Sequence, residues 1–135
     1  MRVPLLSTEN QAAFHARIEA IQADTPRRFG TMSPAAMFAH VRHTIEMSLG
    51  EVPTRDQSNF ITRSPLFIRF MFGVMPWPKG KIKAPPVFFP EVVQDFQAEK
   101  EALLARMDQF IARAQAEPQC LGRSPMLGSQ PLSLW

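Results

Sequence analysis

The chain has 135 residues and a mass of 15.3 kDa, which allows one domain and is short for two. Hydrophobic residues make up 45% and charged residues 20%, with a net charge of +3, a globular composition that excludes a mainly disordered chain. No run approaches the roughly 20 apolar residues of a membrane-spanning helix, and no secretory leader pattern is visible at the start. A lone cysteine, Cys120, excludes an internal disulfide and a thiolate-rich zinc site.

Taken in chain order, the first helix signal is Thr8 with Gln11, at capping-box spacing, followed by Phe14, Ile18 and Ile21 at helical intervals. A helix is expected from about Glu9 to Ala23, ended by Asp24, Thr25 and Pro26. Ser33-Pro34 is the strongest start signal, with serine as N-cap and proline at the first helical position. Met37, Val41 and Ile45 form one stripe, widened by Phe38 and Leu49, and Gly50 suits the left-handed residue after a helix end. The second helix is therefore expected over Pro34 to Leu49.

Residues 51–90 hold seven of the thirteen prolines and read as a connection. Within it, Ser64-Pro65 repeats the start signal, and the run LFIRFMF predicts a short, strongly apolar helix reaching Gly73. Met75 to Gly80 is extended or turning, because each proline disfavours helix at the residue before it. Lys81 to Phe89 stays irregular.

The longest helix is expected from about Glu91 to Ala116. Val93, Phe96, Lys100, Leu103, Met107, Phe110 and Ala114 make a seam with one lysine in it, as in a bundle. No period-two pattern competes, so the chain reads as all-α. Pro118 to Trp135 has three prolines, two glycines and almost no charge, and reads as an irregular tail. The division is a helical domain over 1–117 and a tail over 118–135. The core then needs another cover: the short apolar helix, a second subunit, or a missing element of a larger design.

His40, His43 and Glu46 follow at i+3 on the second helix, and imidazoles with a carboxylate at this density are metal-ligand types. His15 could join them from across a helix interface. The competing reading makes His40 a half-buried histidine bonded to a neighbour, with His43 and Glu46 facing outward. Cys120 has no histidine nearby in sequence, and no glycine-rich phosphate loop is present. Arg27-Arg28 is a possible anion contact or a solvated pair. Residues 51–90 carry six basic side chains against two acidic ones, a rim of positive charge too thin for a nucleic-acid reader.

The block from Phe29 through Ser33-Pro34 to His40, continuing over Ser48 to Glu51, resembles the second-helix signature of the DinB-like superfamily (DinB/YfiT-like metalloenzymes). The match is to a branch of unknown function. Pro76 to Gly80 resembles a proline-tryptophan-proline-lysine-glycine turn of that branch, and the resemblance covers about residues 9–117. It implies a four-helix bundle in up-down-down-up order, often a dimer, and a cytoplasmic protein. It also implies a divalent metal, nickel or zinc, held by three histidines, with group transfer to or from small thiols in some members.

The first metal histidine falls at His40. The other two belong to a histidine-rich final helix, and this sequence has no histidine after His43. The site is thus expected to be degenerate unless His43, Glu46, His15 or a partner chain completes it. Three functions follow: a bundle with a degenerate metal site, a metal-dependent thiol transferase, or a membrane-surface or partner-binding module. The last would use the apolar helix at 65–78 and Lys79 to Lys83. A homodimer and a small thiol or other small molecule are the expected partners; nucleic acid is not expected, and a membrane surface is not favoured.

Overall fold

A computed structural model of the chain describes residues 7–76, 80–81 and 83–132. The order is α1 (Thr8–Ala20), α2 (Pro34–Leu49), α3 (Pro65–Gly73), a 3₁₀ turn at Pro86–Phe88, α4 (Phe96–Ala116), β1 (Leu121–Ser124) and β2 (Gly128–Pro131). The fold is mostly helical, with a small antiparallel sheet at the end. Of the proline-tryptophan-proline-lysine-glycine turn, Trp77, Pro78 and Lys79 lie outside the described residues.

The bounds of α2 agree with its sequence signals. The Ser33 hydroxyl accepts from the Ala36 amide at 3.2 Å, and Gly50 takes φ +79°. Amides of Gly50 and Glu51 then return to the carbonyls of Met47 and Glu46, a six-to-one closure that satisfies the last turn. α1 is shorter than expected. Ser7, not Thr8, is the N-cap, and at the other end the Gln22 amide donates to the Thr25 hydroxyl at 2.8 Å, a local bond that competes with helix. α4 starts at Phe96 rather than Glu91, because Asp95 takes the cap and accepts from the Ala98 amide at 3.0 Å.

The long helices have a definite relative direction. Phe38 packs on Phe96, Arg42 pairs with Glu99, Glu46 with Arg106, and Arg113 reaches the Leu49 carbonyl. Numbers rise together, so α2 and α4 run parallel, which the long connection over 50–95 makes possible. On the other side of α4, His15 pairs with Asp108 while Lys100 meets Glu19 and Ile21, so α1 runs antiparallel to it.

The expected irregular tail is corrected. Residues 121–131 form a hairpin with Leu121 opposite Pro131 and Ser124 opposite Gly128, joined by the three residues Pro125 to Leu127. The Ser124 hydroxyl accepts from the amides of Met126 and Leu127 at 3.2 and 3.1 Å, and Gly128 supplies φ +70°. β1 lies against α2, and Leu132, 1% exposed, packs with Phe110 and Ala114 beside Ile45 and Leu49. The hairpin thus supplies core cover that the sequence assigned to other elements. It is also tied to the connection: the Gln57 amide donates to the Pro125 carbonyl at 2.7 Å.

Candidate functional site

Two regions hold the side chains singled out in the sequence. The first is the face of α2 turned to α4. Its buried residues are Phe38, Ala39, Met47 and Ser48, whereas Val41, expected inside, is 40% exposed. Between them lie Arg42 and Glu46, which build a ladder of alternating charge. Arg42 donates to the Glu99 carboxylate at 2.8 and 3.2 Å and to Glu46 at 2.9 Å; Arg106 continues from Glu46 at 3.3 Å to Glu51 at 3.1 Å. Burial pushes the Glu99 carboxyl upward, but hydrogen bonds from Arg42 and the Gln94 amide outweigh it and hold the group below the usual carboxylate range. Arg42 is held above its ordinary value by its bond to Glu99, against the effect of burial.

The expected metal trio sits beside this ladder. His40 donates from Nδ1 to the Phe88 carbonyl at 2.8 Å and stacks on the Phe89 ring at 4.8 Å, pinning the 3₁₀ turn onto α2. The half-buried, hydrogen-bonded form of the histidine is the one observed. His43 is also half-buried, not turned outward, with Nδ1 3.8 Å from Glu46. Both Glu46 oxygens face guanidinium groups. Cation binding there requires the carboxylate to give up that pairing, so the set does not fit a divalent ion as placed. Among the described residues, no group of three or more His, Cys, Asp or Glu side chains has the geometry to hold a metal. His15 is engaged elsewhere, donating to Asp108 at 2.7 Å on α4.

The other candidates are placed as follows. Arg27 donates to the Thr31 carbonyl at 2.8 Å and closes its own turn. Cys120 packs half-buried at the edge of the Phe110 cluster. Lys100, the lysine of the seam, is buried and donates to the carbonyls of Glu19 and Ile21 at 2.7 and 3.1 Å, fixing the end of α1.

The second region is α3. Ile68 is buried and Phe67, Met71 and Met75 are half-buried, which defines the inner side. On the opposite side Leu66, Phe70 and Val74, spaced i, i+4, i+8, are 79%, 55% and 75% exposed. Phe60 and Ile61 project beside them, and with Ser64, Leu66, Phe67 and Phe70 they line an open groove of about 530 Å³. Ser64 gives no side-chain cap, so α3 is held by packing rather than by its end. Arg69 flanks the outer stripe and is exposed, as are Lys81 and Lys83. From Gln57 to Pro90 the sequence contains no acidic residue at all. The sequence shows that α3 is apolar; only the positions of its neighbours show which side stays open. No helix among the described residues is long and apolar enough to cross a membrane.

No protein-family model, curated protein or solved structure matches this chain.

Proposed function

We propose that this chain is an interaction module, in which the α2–α4 charge ladder builds the scaffold and α3 does the docking. The observation that carries the reading is the outer stripe of Leu66, Phe70 and Val74, each more than half exposed, next to exposed Phe60 and Ile61. Contiguous apolar surface of this kind marks a site of contact more often than it marks a resting monomer.

Under this reading His40, His43 and Glu46 are structural, and an inherited metal site has become degenerate. The salt-bridged state of Glu46 supports that assignment. The DinB-like relationship belongs to the same proposal. Besides the Ser33-Pro34 to His40 block, it is supported by α1 antiparallel and α2 parallel to α4, the directions of the first three helices in an up-down-down-up bundle. A hairpin then follows α4 instead of a fourth long helix.

One observation favours the alternative, a divalent-metal-dependent thiol transferase. In the neutral ring, Nδ1 donation to the Phe88 carbonyl places the lone pair on Nε2 of His40, the arrangement of ligating histidines. The readings separate on protein purified without a histidine tag. Interaction through α3 predicts co-elution with neutral maltoside micelles, lost in Leu66→Ser/Phe70→Ser, and substoichiometric nickel and zinc. Failure to bind micelles and lipid vesicles alike overturns the docking role. Near one metal per chain, lost in His40→Ala, overturns the structural role of the trio.

A further inference from the structure

Resting on the docking role of α3, we propose that its occupant is an anionic lipid surface, against which the helix lies flat. Three features of the 57–90 segment choose this occupant over a protein groove. The apolar side chains project rather than recede: Leu66, Val74 and Phe60 stand well clear of the body. A helix of nine residues is too short to span and has the right form to lie in the headgroup boundary. The charge along the segment has one sign. Arg69 borders the stripe, Lys81 and Lys83 are exposed, and no carboxylate interrupts the segment from 57 to 90. Basic side chains in the same carboxylate-free segment as aromatic and aliphatic anchors match a surface that is negative outside and apolar beneath.

The loop before α3 is built to present these anchors. Asn59 accepts from the amides of Ile61 and Thr62 at 2.9 and 3.0 Å, and its own amide donates to the Thr62 hydroxyl at 2.9 Å. Arg63 donates to Asp56 at 2.6 Å and to Ser58 at 2.6 Å, and Gln130 of the hairpin donates to the Arg63 carbonyl at 3.4 Å. Phe60 and Ile61 are therefore held outward on a turn whose polar groups are already satisfied. Because these side chains face solvent, replacing them leaves the scaffold intact.

The test is co-sedimentation of the full chain with phosphatidylcholine vesicles, with and without phosphatidylserine. The expected result is binding to the phosphatidylserine vesicles only. Raising salt from about 0.1 M to about 1 M shortens electrostatic reach from about 10 Å to about 3 Å and releases the protein. Leu66→Ser/Phe70→Ser weakens binding about tenfold or more, and Arg69→Gln/Lys81→Gln/Lys83→Gln removes the preference for phosphatidylserine, with both variants keeping the wild-type melting temperature. Equal binding to both vesicles, or salt-resistant binding, overturns the anionic partner. A chain that binds neutral micelles but neither vesicle overturns the lipid proposal and leaves α3 docking standing. Self-association abolished by Phe70→Ser in that case identifies a second copy as the occupant. Binding to neither micelles nor vesicles overturns both proposals.

Discussion

Arg42 on α2 and Glu99 on α4 form a two-bond ion pair at 2.8 and 3.2 Å, and Glu99 is 0% exposed. The pair joins the middle of α2 to the first turn of the parallel α4, and Glu46 and Arg106 repeat the device further along. The buried surface between α2 and α4 is thus organised around charge, with Phe38, Met47 and Leu103 as its apolar borders.

Glu99→Gln is expected to destabilise the chain by about 3 kcal/mol, the cost of leaving a buried cation short of its partner. The folded carboxyl lies below its unfolded value, so the stabilisation is present above the unfolded pKa of about 4.3 and is lost as pH falls through the folded one. Urea midpoints should drop in the wild type as pH falls below that value. The variant should show a flatter acid limb; a limb as steep as the wild type's would remove Glu99 from the pH dependence.

Lys100→Met keeps most of the side-chain volume and removes the bonds to the Glu19 and Ile21 carbonyls. α1 has no fully buried residue, and these bonds, the Lys100–Glu19 ion pair and the His15–Asp108 pair moor it to α4. Amides of α1 should lose hydrogen-exchange protection while those of α4 keep theirs, for a cost of about 1–3 kcal/mol. Uniform loss across both helices would contradict this.

Gly128→Ala places a methyl group 2.9 Å from the Ser58 hydroxyl and 3.1 Å from Arg63, at φ +70°. The left-handed backbone alone costs about 1–2 kcal/mol, and the contact adds to it. Leu132→Ala, which empties a core position, should cost about 2–5 kcal/mol. Both are read by thermal denaturation, and near-wild-type melting in both would mean that the hairpin does not complete the core.

His40→Phe keeps a ring against Phe89 but removes the donor to the Phe88 carbonyl. A loss of about 1 kcal/mol is expected, with chemical-shift changes concentrated in residues 85–89. His40→Ala loses the stack as well and should cost more.

The helix ends were legible where one side chain sets one backbone bond, as at Ser33-Pro34 and Gly50. The seam of α4 was legible because apolar residues mark it from Leu103 to Ala114. On α2 the apolar stripe of Met37, Val41 and Ile45, widened by Phe38 and Leu49, includes core contacts at Phe38, Ile45 and Leu49 but puts the exposed Val41 at its centre, because Arg42 and Glu46 occupy the middle of the face turned to α4. A buried ion pair looks like a surface pair until its partners are known.

The hairpin was hidden for a related reason. Its inward positions are Gly122, Ser124, Gly128 and Gln130, so burial alternates while hydropathy does not. His40 was identified as a half-buried, bonded histidine, but its partner is a main-chain carbonyl 48 residues away, which no side-chain pattern announces. The openness of α3 likewise depends on what fails to arrive beside it.

The position of Leu132 sets an order of events during synthesis. Phe110 and Ala114 are synthesised before the residue that covers them. Until β2 has emerged and folded back onto β1, the last turns of α4 travel with their apolar side uncovered. A nascent chain at that stage is open to chaperones and to misassociation. Completion of the core therefore waits on delivery of the hairpin, and a chain ended between residues 116 and 132 would carry that uncovered side permanently.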